Sequence, residues 1–174
     1  MSPMTVIAQN NIQRYFLGLN FMDHYGNVYT TLTKISAKYS NQSIPSLDNI
    51  ILYDLHFGGV IWNHAILTFD VIKSESSSRS YFYAIDFNNP YSDLDDAYKC
   101  FVALYDNLCN KYWSVDINED YMNKVAVWGD NATICCLALK YSEAMNGEMY
   151  WYVALSYWDI DTVDKHTANA VDEL

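Results

Sequence analysis

The chain has 174 residues, of which 51% are hydrophobic and 16% aromatic, and its formal net charge at pH 7 is −11. This composition excludes a disordered chain and supplies the core of one domain, which we expect to span residues 1–174. The acidic balance argues against direct binding to nucleic acid or to an anionic membrane, because both need clustered Lys and Arg. It favours a basic protein partner.

Three features of the sequence bear on where the protein is located. Residues 1–11 lack the basic and apolar regions of a signal peptide, and no apolar run is long enough to span a membrane. The cysteines have no C-x-x-C spacing, so we interpret them as reduced structural thiols in a cytoplasmic protein. They are Cys100, Cys109, Cys135 and Cys136.

The first part of the chain predicts a strand followed by a helix. Residues 13–21 alternate as a short strand, with Gly18 as a bulge or a point of close backbone approach. Asp23 is expected to cap a helix that runs to about Tyr39. Its inner stripe is Val28, Leu32 and Ile35.

Strands follow this helix. Residues 49–57 and 60–72 are predicted strands joined by Gly58-Gly59, which breaks the apolar pattern as a turn or bulge. A polar stretch at 73–80 predicts a solvated hairpin tip, and residues 81–87 form the next strand.

The most regular sequence begins where Pro90 is expected to stop that strand. Ser92 opens an S-x-x-D capping pattern for a helix that ends near Trp113, with Lys111 in its last turn. Apolar residues recur at helical spacing, which predicts the inner face of a core helix. They are Leu94, Ala97, Tyr98, Phe101, Leu104, Tyr105, Leu108 and Tyr112.

Three more strands complete the plan. Residues 115–123 are predicted to be an acidic loop, and strands then lie within 125–130, 132–142 and 148–159. Asn146-Gly147 marks a hairpin between the last two. We expect residues 1–11 and 160–174 to be loosely packed termini.

The element order predicts an α+β fold: an antiparallel sheet of hairpins and meanders, with two helices packed on one face. The order of strands and helices also suggests a βαββ-type pseudo-repeat. No residue-level repeat supports an internal duplication.

One group of residues suggests a ligand or metal site. Asp54 and His56 share a strand face, and a turn at Gly58-Gly59 would bring His64 on the next strand toward them. Two histidines and a carboxylate are a minimum for a metal or acid–base site. The simpler interpretation is that each side chain is only hydrogen-bonded on a mixed strand face.

A second group suggests a binding surface. The last strand alternates so that Tyr150, Tyr152 and Trp158 share one face, and Asp159 and Asp161 follow. Tyr and Trp dominate binding hot spots, and adjacent carboxylates would attract a basic surface. The alternative is that these aromatics fill a two-layer core.

The sequence has no nucleophile motif or phosphate-binding loop, and we expect no cofactor or catalytic residue. The favoured hypothesis is a non-catalytic, acidic protein-binding module that occludes or regulates a more basic partner, as inhibitor, immunity and counter-defence proteins do. The alternative is a small-ligand or metal-binding protein or enzyme, with a pocket between helix and sheet near Asp54, His56 and His64. A third hypothesis is a homodimer that covers its own aromatic face.

Overall fold

The structure, a computed structural model, describes residues 11–39, 44–45, 49–74, 77–120, 123–143 and 147–165. In this part of the chain two α-helices and a short hairpin pack on one face of an eight-stranded antiparallel sheet. The predicted α+β class, the antiparallel sheet and the placement of the two helices on one face are confirmed.

The N-terminal segment differs from its prediction. Instead of one strand over residues 13–21, it forms a hairpin of β1 (Tyr15–Phe16) and β2 (Leu19–Asn20). Leu17 and Gly18 make the turn, with φ of 55° and 86°. Two successive positive φ values are those of a type I′ turn, so Gly18 marks a reversal of the chain and not a bulge.

The remaining elements are helices α1 and α2, strands β3 to β10 and a final helical turn, α3. The first half contains α1 (Tyr25–Tyr39), β3 (Ile44–Pro45), β4 (Asn49–Phe57), β5 (Val60–Ser74) and β6 (Ser77–Tyr91). The second half contains α2 (Leu94–Lys111), β7 (Asn118–Asp120), β8 (Asn123–Gly129), β9 (Thr133–Glu143), β10 (Met149–Asp159) and α3 (160–165).

The sheet order reveals a twofold plan. The strands lie in the order β3-β4-β5-β6-β10-β9-β8-β7, so each helix is followed by a four-stranded meander. The two meanders meet through their last strands, β6 and β10, near the pair Asn88 and Ala154. Each repeating unit is therefore a helix followed by four strands, αββββ, with more strands after the helix than the βαββ-type unit that the sequence suggests.

Helix α1 lies where the sequence predicts it, but Asp23 does not cap it. The carboxylate of Asp23 accepts a hydrogen bond from the backbone N–H of Asn20 at 2.8 Å and so closes the preceding hairpin. The first helical bond runs from Val28 N–H to His24 O at 3.1 Å. Val28 and Leu32 are fully buried, as predicted.

Helix α2 begins one residue later than its predicted cap implies. Asp93, not Ser92, is the N-cap, and its carboxylate accepts from the backbone N–H groups of Asp95 at 2.8 Å and Asp96 at 3.2 Å. A carboxylate there also complements the helix dipole. Lys111 lies in the last turn, as predicted.

The buried stripe of α2 is narrower than the apolar pattern predicts. Leu94 and Tyr98 remain 42% and 45% exposed. Both lie in the first two turns of the helix, whereas Tyr112, just past its end, is buried as predicted. The buried residues are Ala97, Phe101, Leu104 and Leu108.

Aromatic side chains fill the space between helices and sheet. Phe57 and Phe87 stack at 4.4 Å between ring centroids, and Trp62 and Trp128 are fully buried. Their indole N–H groups donate to the carbonyls of Phe57 at 2.9 Å and Trp113 at 2.8 Å. Both buried indole N–H groups therefore have an acceptor.

Strand β6 runs longer than predicted and contains Pro90. Pro90 pairs with Tyr152 on β10, while on the other side the pairing of β6 with β5 ends at Asn88 and His64. Proline has no N–H to offer a second neighbour, and here no ladder bond on that side is required. The predicted tip at 73–80 is shorter, because β5 and β6 extend to Ser74 and from Ser77.

Two segments of the C-terminal half differ from their predicted structure. Strand β7 lies inside the predicted acidic loop, at the sheet edge. Residues 160–165 form a helical turn in which Thr162 is only 2% exposed, while Asp161, Asp164 and Lys165 are exposed. Residues 1–10, 166–174 and Asn146 of the predicted turn lie outside the described residues.

Candidate functional site

The two faces of the sheet differ in what covers them. On β10, Val153, Leu155 and Tyr157 point to the helices and are buried, while Tyr150 and Tyr152 alternate with them and are half-buried. Neither α1 nor α2 covers this second face, which we call the outer face. The predicted common face of Tyr150, Tyr152 and Trp158 is present.

A groove of about 690 Å³ lies on the outer face, and we call it the outer groove. At one end, a second hollow of about 550 Å³ shares Pro90 and Tyr150 with it. The rings of Tyr150 and Tyr152 lie 6.3 Å apart, so the groove wall is aromatic. The groove is lined by His64, Ile66, Asn88, Pro90, Ser142, Tyr150 and Tyr152.

His64 reaches this groove through the sheet register. It pairs with Asn88, which pairs with Ala154 of β10, two residues from Tyr152. Burial lowers the pKa of His64, which therefore adds no positive charge to the groove at neutral pH. The sequence assigned His64 and Tyr152 to different sites, and the structure brings them together.

The predicted cluster of Asp54, His56 and His64 is not assembled. Gly58 and Gly59 do form the hairpin turn, with φ of 61° and 81°. The register nevertheless pairs His56 with Ile61, three residues from His64, or about 10 Å along β5. Within the described residues no group of three His, Cys, Asp or Glu side chains is placed to hold a metal ion.

The backbone at Asp54 departs from extended strand geometry. Asp54 has a φ of 52°, in the left-handed region, and is exposed. The burial pattern shifts at this point, because Leu52 and Leu55 are both buried with two residues between them. The strand thus changes which positions face the core just before Asp54, whereas Asp54 and His56 themselves lie exposed on either side of the buried Leu55, as alternation predicts.

Asp86 is the outer-face residue that the sequence analysis missed. The indole N–H of Trp158 donates to its carboxylate at 3.2 Å, and Ser156 provides a second hydrogen bond. Burial raises the pKa of Asp86, and these two hydrogen bonds oppose the rise. The detectable signal was its position between Ile85 and Phe87, which alternation turns away from the core.

Asp159, predicted to lie beside the partner-binding tyrosines, is placed on the other side of the sheet, where Val153, Leu155 and Tyr157 are buried. It is 5% exposed and forms an ion pair with Arg14. Its other oxygen accepts from the backbone N–H of Thr162 at 3.0 Å and from its hydroxyl at 2.8 Å. Burial alone would raise the pKa of Asp159, but the bonds from Arg14 and Thr162 outweigh it and lower the pKa. Asp161 is exposed.

A small pocket of about 210 Å³ does lie between α2 and the sheet, but none of the predicted ligand residues lines it. Its polar groups include Lys111, which donates a hydrogen bond to the side chain of Gln13, and Tyr157. Burial lowers the pKa of Lys111. Tyr157 interacts with Cys135 and Tyr112 below the pocket, so its hydroxyl is part of the core network.

Three of the thiols, those of Cys100, Cys135 and Cys136, lack the properties of nucleophiles. Burial raises the pKa of Cys135 to about 12 and also raises those of Cys100 and Cys136. Such groups are almost entirely protonated at neutral pH, whereas the thiolate is the reactive form. Cys135 and Cys136 therefore act as small packing residues on opposite faces of β9.

Together these features define an acidic α+β protein whose sheet has one face covered by helices and one face with an aromatic groove. No family model matches the chain, and neither a curated protein nor a solved structure matches it. Within the described residues, no helix has the length and apolar character needed to cross a membrane.

Proposed function

We propose that this chain is a non-catalytic protein-binding module that occludes or regulates a more basic partner protein. It would act in the manner of an inhibitor, an immunity protein or a counter-defence protein. The observation that carries the proposal is the outer groove, with Tyr150 and Tyr152 on a sheet face that neither α1 nor α2 covers.

Charge and side-chain type support the same proposal. The net charge of −11 would attract and steer a basic partner and would oppose association of two copies of this chain. Tyrosine offers a large rigid contact with little loss of conformational entropy, and a groove gives it a central position in an interface. The location that this function implies is the cytoplasm, in keeping with free cysteines.

The test compares immobilised baits in lysate of the cells in which the protein acts. Wild-type protein, Tyr152→Ala and Tyr98→Ala are used in parallel, since Tyr98 is exposed on α2, away from the outer face. We expect a basic protein that wild type and Tyr98→Ala retain, and that Tyr152→Ala retains at least about tenfold less. Equal retention by all three baits, or retention of no protein, would refute the proposal.

A second candidate function is small-ligand binding in the same groove. The observation that favours it is the groove volume of about 690 Å³, which lies within the usual range for ligand pockets. A thermal-shift screen of metabolites against wild type and His64→Ala distinguishes it. A compound that stabilises wild type but not His64→Ala would support this candidate, provided that both proteins have the same melting temperature without ligand.

A further inference from the structure

We propose that Asp86 is the residue of the outer face that receives a cationic side chain of the partner, an arginine that also lies against Trp158. This inference rests on the proposed function and deepens it, since it names the chemistry of the partner segment. Asp86 pairs with Ser156 and Ile66, and Ile66 lines the outer groove, so Asp86 lies beside the groove on the same face.

The hydrogen bonds of Asp86 come from neutral groups. Its donors are the indole of Trp158 and the hydroxyl of Ser156, and within the described residues no cation forms an ion pair with it. A carboxylate partly removed from water, as the half-buried Asp86 is, and held only by neutral donors is destabilising unless a positive charge compensates. A cation from a partner would supply that compensation at the moment of binding.

Within the described residues, the chain does not supply a cation that pairs with Asp86. Lys140 is on the same face, but it pairs with Tyr152, whereas Ser156 beside Asp86 pairs with Cys136. Four residues along β9 separate Cys136 from Lys140, or about 13 Å. On the other side, Asp70 and Asp86 both act on Tyr83, whose pKa is raised first by burial and then by these two carboxylates. Asp86 therefore shares its surroundings with a second carboxylate, while the charge of Lys140 acts on Cys136 and, within the described residues, forms no ion pair with Asp86.

The shape of the site favours arginine over lysine. Trp158 is half-buried, and its bond to Asp86 fixes the orientation of the indole ring. The residues beside them are small, since Ala84 pairs with Trp158 and Ala154 lies between Ser156 and Tyr152 along β10. A planar guanidinium can stack on an indole face and at the same time donate to a carboxylate. An ammonium group makes this combination of contacts less well.

The test uses a hexa-arginine peptide as the probe and the indole N–H signal of Trp158 in a two-dimensional ¹⁵N–¹H spectrum as the readout. The signal is assigned by its loss in Trp158→Phe. Asp86→Asn is the variant, because an amide oxygen still accepts from the indole while the charge is removed. Asp96→Asn is the matched control, since it removes one charge from exposed surface on α2.

We expect the Trp158 signal to shift to saturation with the peptide in wild type and in Asp96→Asn. In Asp86→Asn the dissociation constant should rise at least about tenfold, the effect of losing a charge-assisted hydrogen bond. Hexa-lysine should bind more weakly than hexa-arginine to wild type. Equal constants for the two Asp variants, or a peptide that leaves the Trp158 signal unmoved, would overturn the inference.

The same variants separate this inference from the proposed function. If Asp86→Asn and wild-type baits retain an equal amount of a partner that Tyr152→Ala loses, the assignment of Asp86 is wrong and the binding function stands. If neither bait retains a partner, the proposed function fails, whatever the peptide result. Melting temperatures of all variants establish that each protein is folded.

Discussion

Arg14 and Asp159 are 145 positions apart in the chain and form an ion pair beneath the sheet. The guanidinium of Arg14 also donates to the carbonyl of Ala132 at 2.6 Å and to the hydroxyl of Thr133 at 3.0 Å. Asp159 in turn holds Thr162 at the start of α3. The pair thus connects the N-terminal hairpin, the loop before β9 and the end of β10.

Removal of this carboxylate should destabilise the fold. We expect Asp159→Ala to lower the free energy of unfolding by about 2 kcal/mol, less than the 3–5 kcal/mol typical of a fully buried pair, because the side chain of Arg14 is 34% exposed. Urea denaturation measures the change. The control is Asp161→Ala, an exposed neighbour, for which we expect less than about 0.5 kcal/mol. Equal effects of the two substitutions would contradict the assigned role.

The same pair predicts a pH dependence. The pKa of Asp159 is lower in the folded chain than its ordinary value of 3.8, so its ionised form stabilises the folded state. This contribution is complete above the ordinary value and is lost as the pH falls through the folded value. The difference in unfolding free energy between wild type and Asp159→Ala should therefore be constant from pH 7 to pH 5 and shrink below pH 3.8. A difference that grows on acidification would have the wrong sign.

The pH dependence of stability due to Asp86 should be opposite to that of Asp159, because its pKa is raised and not lowered. Its pKa is raised by burial, so its charged form opposes folding, and Asp86→Asn should increase the melting temperature at pH 7 by about 2–4 °C. The gain should disappear as the pH falls through the raised pKa, because the wild-type carboxyl then becomes neutral too. Differential scanning calorimetry of both proteins at several pH values measures it. A loss of stability at pH 7 would show that the charge of Asp86 supports the fold.

Thiol labelling tests the assignment of Cys135 as a core residue. Cys135 is fully buried and its pKa is raised to about 12 by burial, so iodoacetamide at pH 8 should leave it unmodified in the native protein. In denaturant it should react at the rate of a free thiol. Peptide mass spectrometry of both samples gives the extent of modification at this residue. Rapid labelling of Cys135 in the native protein would contradict the packing of β9.

Local sequence patterns were enough to predict part of this fold. The strict alternation of β9 and β10 placed Tyr150, Tyr152 and Trp158 on one face, and helical spacing located α2 to within a few residues. Both signals act over a few neighbouring residues and need no knowledge of the distant chain.

The candidate site depended on contacts that such patterns do not contain. His64 meets Tyr152 only because β6 pairs with β10, strands separated by a helix and three other strands. Asp159 looked like a surface residue because its partner, Arg14, lies at the other end of the chain. The position of Asp86 was visible as an outward residue of a strand, but its contact with Trp158 again required the β6–β10 pairing.

The central claim, that the outer face binds a basic protein, is tested most directly by site-specific photocrosslinking. A benzoylphenylalanine is placed at position 152 in one sample and at position 98 in another, and each protein is irradiated in lysate of the cells in which it acts. We predict a cross-link from position 152 to one basic protein, reduced by high salt, and none to that protein from position 98. Cross-links to the same proteins from both positions, or only to a second copy of this chain, would contradict the claim.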